Sequence, residues 1–208
     1  MKIAAADIGM DAAYKLLVGC IVPRPIAWVT TLSPEGTVNL APFSAFTFVS
    51  SDPPMVAFSV GLREGQPKDT ARNIDALPEF VVHIGAEDQI EVIHKSSAEY
   101  PQDVSETEAL GLATVPSDLV KPPRLAAAPI AMECRLAHAI DFGREPSTLY
   151  VGEVVMFHAR DGLVRDGKID TAELKPAVRV ASPNYARLGE IIRVKPMHRP
   201  SSEGQCKP

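Results

Sequence analysis

Three stretches of the chain carry residue types and spacings that can hold a ligand. The first runs Pro23-Arg24-Pro25-Ile26-Ala27-Trp28-Val29-Thr30-Thr31, continues as Asn39-Leu40-Ala41-Pro42-Phe43-Ser44, and closes on Asp52-Pro53-Pro54. Proline at 42 removes a backbone donor and fixes φ. Asn39 to Ser44 is therefore expected to leave the sheet as a rigid bend, its remaining N–H groups facing a planar ring. A plain edge bulge in a barrel is the alternative for the same spacing.

The second stretch is Lys68-Asp69-Thr70, where a loop enters a predicted helix. A helix start offers free N–H groups and partial positive charge, Thr70 adds a hydroxyl and Lys68 a full charge, which together make a phosphate seat. Asn73, one turn on, reaches the same ligand. An ordinary N-cap with a solvated lysine is the alternative. The third stretch, Ser182-Pro183-Asn184-Tyr185-Ala186-Arg187-Leu188-Gly189, is turn-rich and carries one aromatic and one cation. In a dimer it could close over a neighbour's site; otherwise it is a loop before a final strand at Glu190 to Val194.

Other chemistries lack their signatures. There is no GxGxxG, GxxxxGKS/T or GxSxG pattern, so the usual dinucleotide, triphosphate and hydrolase fingerprints are missing. His83, His94, His138, His158 and His198 show no HxH or HExxH spacing, and no metal site is expected from them. Cys20, Cys134 and Cys206 are odd in number and form no CxxC pair, which fits free thiols.

The elements that must position these residues read mostly as short strands. Ile26, Trp28 and Thr30 alternate with Ala27, Val29 and Thr31, and Ser33-Pro34-Glu35-Gly36 then supplies a turn. Phe46–Ser50, Met55–Val60, Phe80–Ile84 and Leu149–Ala159 are further β-rich runs. From Ile130 to Ile140, apolar residues take one face while Glu133 and Arg135 take the other, the period of a half-buried antiparallel strand. Helices are expected at Asp69–Leu77, capped by Asp69 or Thr70, at Glu87–Ala98, and at Ser105–Leu110. Strands do not alternate regularly with helices, which favours an antiparallel barrel with a few covering helices over a doubly wound sheet.

Composition sets the outer bounds. The 208 residues fit one domain, expected over 1–199 with a loose tail at 200–208. Apolar residues make up 46% and charged ones 23%, enough to bury a core. A net charge of −5 lacks the field that draws nucleic acid. The longest apolar stretch, Leu125 to Met132, falls far short of a membrane span, and the N-terminus lacks a secretory signal, so a cytoplasmic protein is expected. Of the 19 prolines, Pro23, Pro25, Pro34, Pro42, Pro53, Pro54 and Pro67 fall in the candidate stretches or at their borders.

Taken in order, PRPIAWVTT, NLAPFSAFTFVSSDPP, KDTARNI with EFVVHI, and NYARLGE resemble the flavin reductase-like proteins of the FMN-binding split-barrel superfamily, in particular the flavoredoxin type. The likeness covers Tyr14 to Pro196. It implies a six-stranded antiparallel split β-barrel and a homodimer holding FMN at the subunit interface. It places Thr30, Asn39, Ala41, Pro42 and Ser44 along the ring and ribityl chain, and Lys68, Asp69, Thr70 and Asn73 around the phosphate. Tyr185 and Arg187 would contact the ligand from the closing segment. His83 stands where many relatives have asparagine, which would put a titratable group beside the flavin. The implied activity is transfer of hydride from NADH or NADPH to flavin, with electrons passed to a small-molecule or protein acceptor. The cofactor carries that chemistry, so no catalytic acid, base or nucleophile is required. A flavoredoxin-like electron carrier with little NAD(P)H oxidation is the alternative, and a barrel binding haem through His83 or His138 is a third.

Overall fold

The computed structural model describes residues 1–195; the tail expected at 200–208, His198 and Cys206 lie outside them. The helices are α1 (Met10–Cys20), α2 (Asp69–Ala76), α3 (Ile90–Lys95), α4 (Glu106–Ala109) and α5 (Thr171–Leu174). The main strands are β1 (Ala27–Leu32), β2 (Val38–Phe43), β3 (Phe46–Ser51), β4 (Pro54–Val60), β5 (Glu79–Ile84), β6 (Ile130–Phe142) and β7 (Ser147–Ala159). These strands form one antiparallel sheet in the order β2-β1-β5-β6-β7-β4-β3. The mainly β, antiparallel expectation holds, with seven strands in this sheet rather than six.

The two edge strands, β2 and β3, are consecutive in the chain, separated only by Ser44 and Ala45. The sheet therefore curls until its edges meet at that corner, where Ser59 N–H donates to the Ala45 carbonyl at 2.9 Å. The expected bend at Asn39 to Ser44 is thus displaced. Asn39 to Phe43 stays in register with Thr31 to Ala27, and the chain turns just after it. Pro42 is tolerated there because an edge strand need not donate from every residue.

Alternation in β1 sorts its side chains onto two buried faces. Ala27 and Val29 join Phe58, Phe80, Ile74 and Tyr150 in the barrel core, while Trp28 packs outward with Ile26, Leu40, Ile93 and Leu125. The outer face is buried because α3 and its neighbouring loops cover it, and Trp28 Nε1 donates to Ser96 Oγ at 2.9 Å. Helix α2 places Ala71 and Ile74 in the barrel core. Its N-cap is Lys68, and neither Asp69 nor Thr70 caps it as expected.

The polar face read on β6 is solvated at Arg135 but not at Glu133. Glu133 is fully buried, accepting the N–H groups of Asp118 and Leu119 at 2.8 and 2.6 Å and bonding His158 Nε2 at 2.6 Å. Burial pushes its carboxyl up, but these donors outweigh that and hold it below the usual range. Asp118, Glu133 and His158 converge within 4.8 Å of one another. Arg124 lies 3.8 Å from Glu133 on the same side, so Glu133 is already neutralised by donors of this chain.

The C-terminal region departs further from expectation. Residues 190–195 form no strand; Tyr185–Ala186 pairs instead with Val178–Arg179, which pairs with Arg24–Pro25. Helix α1 was not expected, since its apolar residues are not confined to one face. None of them is buried. No helix among the described residues is long and apolar enough to cross a membrane.

Candidate functional site

A cavity of about 850 Å³ opens where α1, the β2–β3 corner, the Arg24 strand and the Tyr185 strand converge. That volume suits a small ligand or cofactor. Arg24 organises the site. Its Nη1 donates to the carbonyls of Val18 and Ile21 at 2.7 and 2.8 Å, its Nη2 to Val180 at 2.9 Å, and its Nε to Ser44 Oγ at 3.3 Å. One guanidinium thus fastens the end of α1, the sheet corner and the C-terminal segment. The sequence shows this arginine, but the Val180 carbonyl and the Ser44 hydroxyl that it joins to the nearby end of α1 come from distant parts of the chain, so its role is not visible there.

Lys68 lines the cavity at the start of α2. Burial, and then the charge of Arg63, lower its pKa, while Glu99 opposes them. Among the described residues it has no ion-pair partner. The first N–H groups of α2 also have no side-chain cap. An anion placed there would relieve both the lysine and the helix start. A smaller pocket adjoins it, sharing Pro42, Phe43, Lys68 and Ser97 with the main cavity. That pocket also carries Asp69 and Glu106, with Arg63 and Thr70 beside them, whereas no carboxylate among the described residues lines the main cavity.

The expected contact residues divide into three groups. Pro42, Ser44, Lys68 and Tyr185 line the main cavity. Asn39, Ala41, Asp69 and Thr70 line the adjoining pocket, and Asn73 borders a third small one with Asn39 and Asp69. Asn39 and Asn73 are committed to hydrogen bonds inside the protein. Asp69 bonds Arg72. Thr30 and Arg187 reach none of these spaces. Thr30 is fully buried on the outer face of β1 and donates to the Pro123 carbonyl at 2.6 Å. Arg187 is 76% exposed and lies 3.6 Å from Glu87.

His83 does not border the cavity either. It is fully buried, with Nδ1 2.8 Å from the Trp28 carbonyl and Nε2 accepting the Leu125 N–H at 2.9 Å. Leu125 can only donate, so Nδ1 carries the proton and the ring is neutral. Desolvation drives its pKa down to about 4. With both nitrogens occupied by backbone, His83 is neither a flavin contact nor an axial ligand.

Fold and cavity together define a ligand-binding antiparallel split barrel. The chain belongs to the flavin reductase-like family, whose domain it matches over residues 18–172. The YwrF protein of Bacillus subtilis (strain 168) is 46% identical over 197 residues, spanning 91% of this chain and 96% of that protein. The crystal structure of nitrilotriacetate monooxygenase component B from Bacillus cereus superposes with a TM-score of 0.90 at 38% identity, covering 93% and 98% of the two chains. The 2-nitrobenzoate 2-nitroreductase of Pseudomonas fluorescens gives 0.87 at 34% identity, covering 97% and 100%.

Proposed function

We propose that this protein is an NAD(P)H-dependent flavin oxidoreductase that holds FMN in the cavity beside Lys68. The observation that carries the reading is the pairing of a half-buried, unpartnered lysine with an uncapped helix start at the edge of a cavity of about 850 Å³. These residues fit a phosphate monoester, and the backbone around Ser44 and Ala45 offers polar groups to a ring edge. FMN, when bound, supplies the redox chemistry. The chain's part is to hold the phosphate, exclude water from the apolar wall of Leu17, Val18 and Ile21, and leave room for a second molecule.

Assembly as a homodimer completes this reading. Helix α1 has no buried residue, and its Tyr14 and Leu17, which face the cavity, are 58% and 55% exposed. Edge strand β3 leaves Phe48 77% exposed. A second copy covering these surfaces would close the open side of the cavity, with the protein working in the cytoplasm as a single split-barrel domain per subunit. Titrating the purified protein with FMN tests the reading: saturation near one FMN per subunit is expected, and no uptake contradicts it.

A further inference from the structure

Arg24 and Arg179 face each other across the short antiparallel pair at the cavity, two like charges in direct register. Such a pair is unfavourable unless each charge is answered. Arg24 is answered by three carbonyls and a hydroxyl. Among the described residues, Arg179 meets Ser182 Oγ at 3.1 Å and the Tyr185 ring, over which its guanidinium sits at 4.3 Å from the centroid. No carboxylate among the described residues pairs with it, and none lines the main cavity. Stacking on Tyr185 fixes the guanidinium plane. Tyr185 is itself braced by His94, whose ring packs edge-on at 5.6 Å.

We propose that Arg179 is an anion-recognition residue for the second molecule of the reaction, selecting a donor or acceptor that carries a carboxylate or phosphate. This rests on the flavin reading above, in which Lys68 takes the phosphate of FMN. Lys68 and Arg179 are then the two cations of the cavity free to meet ligands, one for each molecule. A planar, donor-rich guanidinium suits bidentate pairing with either anion. The two sources of that anion are a small organic acid and the diphosphate of a pyridine dinucleotide.

FMN-loaded protein is titrated with benzoate, its neutral isostere benzamide, and ADP-ribose, following perturbation of the flavin spectrum. The wild type is expected to prefer benzoate over benzamide, or to bind ADP-ribose, or both. Arg179→Gln is expected to weaken the anionic probe about tenfold or more and to erase its preference over benzamide, with FMN affinity unchanged. Loss confined to benzoate identifies an organic acid as the source; loss confined to ADP-ribose identifies the dinucleotide. Arg179→Lys, which keeps the charge, is expected to keep part of the preference and serves if the glutamine variant does not fold. Anion affinities unchanged by either substitution, FMN lost along with them, or no response of the wild type to either anion would overturn the assignment. Failure of the flavin reading itself would show earlier, as no FMN uptake before any probe is added.

Discussion

Asn39 Nδ2 donates to Thr70 Oγ1 across 3.0 Å, so two side chains expected to face a ligand bond each other. The same amide also donates to Thr31 Oγ1 at 3.2 Å, which accepts from Asn73 Nδ2 at 3.0 Å. This buried network fixes α2, and with it Lys68, against the edge of the barrel. Asn39→Ala removes two donors from buried hydroxyls and is expected to lower stability by about 1–3 kcal/mol. Urea unfolding checks this, and an unmoved midpoint would show that the network contributes nothing.

Lys68 is the cleaner probe of the phosphate seat, because replacing Thr70 would also disturb the Asn39 network. Lys68→Ala is expected to weaken FMN binding by about 1.5–3 kcal/mol, tenfold or more, with little change in the unfolding midpoint of the FMN-free protein. The wild-type affinity should also fall as salt is raised. Fluorescence titration measures both effects. An alanine variant that binds FMN as tightly as wild type places the phosphate elsewhere.

His83 gives stability an acid dependence of known sign. Its pKa is lowered from 6.5 to about 4, so between those values the unfolded chain takes up a proton that the folded chain refuses. Its contribution is complete above pH 6.5 and is lost as pH falls toward 4, by about 3 kcal/mol in total. Unfolding midpoints recorded from pH 7 to 4 should decline. In His83→Gln the decline should be shallower; an identical slope in the variant would assign the effect to other groups.

Gly152 in β7 is a steric requirement. A Cβ at this position would stand 2.3 Å from the Phe80 ring and 3.1 Å from Cys134 Cβ. Phe80 is fully buried against Phe58 at 5.3 Å and cannot yield freely. Gly152→Ala is expected to destabilise the protein by about 1–3 kcal/mol, read as a lowered melting temperature.

The barrel was legible where a side-chain pattern is local. The alternation of Ile26 to Thr31 predicts β1 because both of its faces are buried, so each step of two stays within one apolar cluster. Helix α1 is hidden because Leu16, Leu17 and Val18 spread apolar character around it and none of its residues is buried. Within the site, Lys68 could be chosen from its place before a helix. Arg24 and Arg179 could not, since one depends on carbonyls at 18, 21 and 180 and the other on a tyrosine reached through a tight turn. His83 and Thr30 were misplaced for the same physical reason. Both lie on the outer face of the sheet, where the segment carrying Pro123 and Leu125 covers them and takes their hydrogen bonds.

A barrel that holds FMN for reduction by a pyridine nucleotide must let NADH or NADPH reach the bound flavin. Loading the protein with FMN and mixing it anaerobically with NADH or NADPH tests this most directly. Rapid bleaching of the flavin absorbance by at least one of the two is the predicted result. Colour that persists with both would contradict a reductase and leave an electron carrier in its place.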